Sequence, residues 1–105
     1  MRNKNLMPLP MSRYDVYADL SRQLTNEERR AIFEALETIV PGSGCVGPQK
    51  RAEDEVYFMV EAPSDDEASA LAAHYMNTVL KHAGVEAQYT LALQTLDGGF
   101  RAWTT

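Results

Sequence analysis

The chain has 105 residues, enough for one domain around one core. Its 45% hydrophobic and 24% charged content is that of an ordinary soluble globule, and no apolar run approaches the length of a membrane span. The formal charge is −5 and becomes −7 past Met11, where all fifteen acidic residues stand against eight of the ten basic ones. Such a field repels phosphate backbones, so nucleic acid is set aside as a direct partner.

Residues 1–12 carry Arg2 and Lys4 but no apolar h-region, so they read as a disordered arm rather than a secretory signal. Cys45 is the single cysteine, so no internal disulfide can form, which fits a cytoplasmic protein.

From Arg13 to Leu20 the chain alternates with period two. Tyr14, Val16, Ala18 and Leu20 face one way, and Asp15, Tyr17 and Asp19 the other, the pattern of a half-buried strand. Thr25-x-x-Glu28 is a capping box that opens a helix running to about Val40. Ile32, Phe33, Leu36, Ile39 and Val40 form its apolar stripe, and Pro41-Gly42 stops it. A glycine-rich loop over 41–48 leads into or overlaps a weak second strand, about 44–51. Pro48 cannot donate to a ladder, which puts that strand at a sheet edge.

Glu55 to Ala62 is the strongest strand, with Val56, Phe58 and Val60 inward and Tyr57, Met59 and Glu61 outward. Ser64-x-x-Glu67 opens a second helix, with Asp65 and Asp66 also in its first turn. Ala68, Leu71, Ala72, Tyr75, Met76, Val79, Leu80 and Ala83 make its stripe, and Gly84 suits a left-handed C-terminal position. Glu86 to Leu96 reads as the last main strand, with Tyr89, Leu91 and Leu93 inward. Asp97-Gly98-Gly99 can turn into a short extra strand or tail over Phe100–Thr104.

The order strand, helix, strand, strand, helix, strand predicts a ferredoxin-like βαββαβ α+β sandwich over residues 13–96. Right-handed crossovers then place both helices on one face of a four-stranded antiparallel sheet. The other face is left open. It is expected to collect Asp15, Tyr17, Tyr57, Met59, Glu61 and Gln94, with Ala92, as a partner-binding surface free of Lys and Arg. A cover by the Phe100–Trp103 tail or by the N-terminal arm is the plainer expectation for the same face.

Several chemistries are weighed against these positions. Tyr17 and Tyr57 stand where an RNA-recognition sheet places its stacking aromatics, but acidic neighbours and the absence of basic ones argue against RNA. Gly42-Ser43-Gly44-Cys45-Val46-Gly47 matches a dinucleotide string but follows a helix C-terminus, where the dipole has the wrong sign for phosphate. Cys45 has no base beside it in sequence, and His74 and His82 have no ligand-spaced carboxylate, so neither a catalytic thiol nor a metal site is expected. No cofactor is implied.

The strand order is similar to that of the acylphosphatases, but Ser21-Arg22-Gln23 lacks their glycine-containing arginine loop, and the activity is not carried over. It is also similar to that of dimeric α+β-barrel enzymes, which pair through open sheet faces. Three functions follow as expectations. The first is a non-enzymatic protein-binding module, a homodimer through the open face. The second is a small acidic inhibitor or adaptor, of the phage or mobile-element kind, that binds a basic surface of a nucleic-acid-binding protein. The third is a small-molecule-binding or enzymatic dimeric α+β barrel, with its site between sheet and helices and His74, Tyr75 and Tyr17 as the polar candidates.

Overall fold

The computed structural model describes residues 11–40, 45–48, 54–95 and 100–104. Its elements in chain order are β1 (Ser12–Leu20), α1 (Asn26–Ile39), β2 (Cys45–Pro48), β3 (Asp54–Ala62), α2 (Asp65–Ala83), β4 (Tyr89–Thr95) and β5 (Phe100–Thr104). Among the described residues no helix is long and apolar enough to cross a membrane.

The alternation along β1 decides the layering. Tyr14, Val16, Ala18 and Leu20 are buried, and the residues between them are half-buried. Val56, Phe58 and Val60 of β3 share the buried side, as do Tyr89, Leu91 and Leu93 of β4. Together with Ile32, Leu36, Ala68, Ala72, Met76 and Val79 from the two helices they form one core. Both helices therefore lie on one face of the sheet.

The sheet is antiparallel with strand order β2-β3-β1-β4-β5. A four-stranded sheet is not what forms. Three long strands, β3-β1-β4, make its body, and the short β2 and β5 extend it at the two edges. Pro48 closes β2 at one edge, where its missing N–H interrupts no ladder on the outer side. At the other edge Phe100–Thr104 pairs along β4 from Gln94 to Thr90, so this segment widens the sheet instead of lying across it.

The helix ends follow their sequence signals. The Thr25 hydroxyl accepts from the Glu28 N–H at 3.1 Å, and the Glu28 carboxylate accepts from the Thr25 N–H at 2.9 Å. Ser64 accepts from the Glu67 N–H at 3.2 Å. Gly84 ends α2 at φ 72°. The α1 stripe is narrower than expected, because Phe33 is exposed. Ile32, Ala35 and Leu36 hold the centre of the buried stripe, and Phe33 lies about 100° round the helix from Ile32.

Two tyrosines of the buried sheet face send their hydroxyls out of the core to α2. Tyr14 donates to Asp65 at 2.8 Å, and Tyr89 donates to Asn77 at 2.6 Å. Each buries its ring while its polar end stays partnered.

Among the described residues one carboxylate is fully buried. Asp54, the first residue of β3, accepts from the Leu24 N–H at 2.5 Å and from Arg29 Nε at 2.8 Å. It thereby ties the approach to α1, and α1 itself, to the sheet. Arg22 makes a second tie nearer the surface. It is bidentate to Glu28 at 2.9 and 2.8 Å and also donates to the Glu86 carbonyl, linking the β1–α1 and α2–β4 connections.

Replacing Arg29 with Met leaves the Asp54 carboxylate buried without its counter-ion. We expect a loss of about 3–5 kcal/mol in urea unfolding, with an unchanged m-value. The double change Arg29→Met with Asp54→Leu is expected to cost less than the sum of the two single changes, since no charge is then left buried alone.

Candidate functional site

The face of the sheet opposite the helices is built by the same alternation that fills the core. Antiparallel register sets its residues in four rows. Across β1 and β3, Arg13 stands beside Glu61, Asp15 beside Met59, Tyr17 beside Tyr57, and Asp19 beside Glu55. From β4, Gln94 joins Asp15, Ala92 joins Tyr17 and Thr90 joins Asp19. The structure thus brings Asp15, Tyr17, Tyr57, Met59, Glu61 and Gln94 onto one surface. None of the described elements packs over it.

Two features in these rows escaped the sequence reading. Arg13 stands on the face, so it is not free of basic residues, and Glu55 stands opposite Asp19. Both were available from the parity of β1 and β3, carried one step further toward each strand end.

The centre of the face is aromatic. The rings of Tyr17 and Tyr57 are 5.3 Å apart and tilted by 43°. The Tyr57 hydroxyl donates to Asp15 at 2.9 Å, which fixes the ring across the strand pair. Partial burial, that hydrogen bond and the Asp15 charge all hold the Tyr57 hydroxyl above the usual phenol range, so it stays a proton donor.

The row next to it is electrostatically strained. Two carboxyls directly opposite on neighbouring strands repel each other. Burial first, then the hydrogen bond and charge of Asp19, push the Glu55 carboxyl up to about 7. Near neutrality the pair therefore holds a proton that two free carboxylates would have released.

Other sequence candidates are not assembled. His74 and His82 are exposed on α2. Tyr75 is partly buried beside the core, edge-on to Phe58 with centroids 6.2 Å apart. Tyr17 lies on the far face of the sheet, so His74, Tyr75 and Tyr17 do not form one pocket. The space between sheet and helices is filled by the core. The depressions on the described surface lie beside it, one of about 520 Å³ along Arg22, Asn77 and Glu86, another of about 380 Å³ along Met59, Leu71 and Tyr75. Cys45 opens β2 in register with Tyr57, so it belongs to a strand and not to the loop before it. Among the described residues no three His, Cys, Asp or Glu side chains converge on a metal-sized site.

No protein-family model matches the chain, no curated protein matches it, and no solved structure matches it.

The Glu55 shift has a definite sign. Its folded-state carboxyl holds a proton to a higher pH than its unfolded one, so its contribution to stability is full below about 4.5 and fades as the pH rises through about 7. Glu28 behaves oppositely. The hydrogen bonds from Arg22 and from the Thr25 backbone lower it to about 2, and its contribution is lost only as the pH falls from about 4.5 toward that value. We expect Glu55→Gln to flatten the decline in melting temperature between pH 5 and 8. The effect is on the order of 1 kcal/mol after allowance for solvent exposure, or roughly 5 °C. An identical decline in the variant places the titrating group elsewhere.

Proposed function

We propose that this chain is a non-enzymatic protein-binding module of the ferredoxin-like type, and that it meets its partner through the open face of the sheet. A single observation carries the reading. Tyr17, Tyr57, Met59 and Ala92 lie together, half-buried, at the middle of a sheet face that no described element covers. Tyrosine and methionine are enriched at protein interfaces, where a large, stiff ring buries much area for little lost freedom. The polar members of the face lie in the rows to either side of the tyrosine pair, Asp15, Gln94, Glu61 and Arg13 toward one end and Asp19, Glu55 and Thr90 toward the other.

Self-association through this face is a second reading, favoured by the same apolar centre. Light scattering at low and high salt reads it directly, since an apolar contact between two copies survives salt.

Two substitutions test the face itself. Ala92→Arg adds bulk and charge at its centre, and Tyr57→Glu removes an aromatic anchor. With an unchanged circular dichroism spectrum, each is expected to weaken partner capture from the native host, or dimer formation, by at least about tenfold. Glu37→Arg, on the exposed side of α1, is expected to leave both intact. Capture and native mass that respond to Glu37→Arg but not to the two sheet variants would move the interface to the helices.

A further inference from the structure

A groove of about 380 Å³ lies at the end of the sheet where β1 begins and β3 finishes. Met11 and Arg13 line it from β1 and its approach, Met59, Val60 and Glu61 from β3, and Leu71 and Tyr75 from α2. The strand pairing makes room for it. The described β2–β3 ladder runs no further than the Cys45–Tyr57 pair, so Met59, Val60 and Glu61 lie past its end. Arg13 likewise stands one residue before the first β1–β4 pair, Tyr14 with Thr95. The volume falls at the small end of the range for ligand pockets, about 300–1,000 Å³. The groove is also more enclosed than the hollow along Arg22.

Met59, Leu71 and Tyr75 are half-buried, whereas Arg13 and Glu61 are exposed, so the groove has an apolar floor and one charge of each sign at its rim. Arg13 and Glu61 are directly opposite in the β1–β3 register. Side chains so placed start from Cβ atoms about 5 Å apart. Yet the ion pairs among the described residues are Arg22–Glu28 and Arg29–Asp54, so this guanidinium and this carboxylate do not close on each other. The Tyr75 ring packs edge-on to Phe58 and beside His74, and among the described residues its hydroxyl makes no hydrogen bond.

These charges select against simple ions. A lone carboxylate would meet Glu61, with Glu67 in the adjoining hollow along Met11 and Leu71. A lone amine would meet Arg13. A small ligand that carries both signs close together satisfies both side chains at once. We propose that the groove binds an apolar α-amino acid in its zwitterionic form. Its carboxylate sits on Arg13, its ammonium on Glu61, and its side chain on Met59, Leu71 and the Tyr75 ring. A guanidinium holds a carboxylate through two parallel N–H bonds, and a compact ammonium suits a single carboxylate. The Tyr75 hydroxyl, in the same lining, supplies one further donor or acceptor. The flexible thioether of Met59 adapts to the shape of the bound side chain. The site is separate from the tyrosine pair and needs no protein on the open face.

The test is a titration of the full chain with L-leucine, followed by amide NMR shifts, with N-acetyl-L-leucine, L-leucinamide and glycine alongside. We expect saturable shifts at Arg13, Met59, Glu61, Leu71 and Tyr75, with a Kd of about 1 mM or tighter. N-acetyl-L-leucine lacks the ammonium, L-leucinamide the carboxylate and glycine the apolar body, and each is expected to bind at least about tenfold more weakly. Arg13→Gln and Glu61→Gln are each expected to weaken L-leucine binding by about tenfold. The double Arg30→Gln/Glu34→Gln, on the exposed side of α1, is expected to leave it within about twofold. Equal binding of L-leucine and its acetyl and amide derivatives would overturn the proposal, since the groove would then sense only the apolar body. Equal losses in the α1 variant would overturn it as well. So would the absence of saturable shifts up to about 10 mM L-leucine. In that case the same spectra name the occupant. Shifts of the groove residues that follow protein concentration give it to a second copy, and shifts of residues 1–10 on Leu71→Asp give it to that segment.

Discussion

β1 has to pair on both sides, and most of the molecule follows from that constraint. Among the described strands it is the only long one with a long neighbour on each edge, β3 on one and β4 on the other, both antiparallel. With one side of β1 buried under two helices, a one-residue slip against either neighbour would carry Phe58 or Leu91 to solvent and bring Tyr57 or Ala92 into the core. The register that satisfies the core therefore also assembles the outer rows. Tyr17 meets Tyr57, and Asp19 meets Glu55, because Ala18 must meet Val56.

Around this centre two of the described polar ties are placed at the crossovers. Asp54 is the sharpest case, a carboxylate at zero exposure whose oxygens are taken up by a backbone N–H and a guanidinium. A buried ion pair of this kind adds little net stability over an apolar substitute, yet breaking it by halves is expensive. What it does supply is position. It holds the start of α1 against the start of β3. Arg22 does comparable work at the surface, where it joins the capping box of α1 to the carbonyl of Glu86.

The two faces of the sheet handle their tyrosines differently. Tyr14 and Tyr89 are buried, and their hydroxyls are consumed by α2. Tyr17 and Tyr57 remain half-exposed, and a neighbouring carboxylate engages the Tyr57 hydroxyl. The first pair belongs to folding. The second leaves ring surface and a nearby carboxyl pair with no helix over them, on a face where like charges have been set opposite one another. Two carboxyls opposite one another on neighbouring strands weaken the pairing of those strands.

Much of this was legible in the residues. Period two set the inward and outward sides of β1, β3 and β4, and Thr25, Glu28, Ser64 and Gly84 marked three of the helix ends by side-chain chemistry that acts within a few residues. Those signals are local, and so they survive without a structure. The same parity placed Asp15, Tyr17, Tyr57, Met59, Glu61 and Gln94 on one face once the strand order was assumed. Only the tertiary structure decided the rest. Phe33 looked like part of a stripe until the angular position of the α1 contact left it outside. Asp54 looked like one acid in a polar turn until Leu24 and Arg29, 30 and 25 residues away, closed on it. The Asp19–Glu55 pair needed the β1–β3 register, because its strain exists only between chains of residues far apart in sequence. Local pattern determined which way side chains point; long-range pairing determined what they meet.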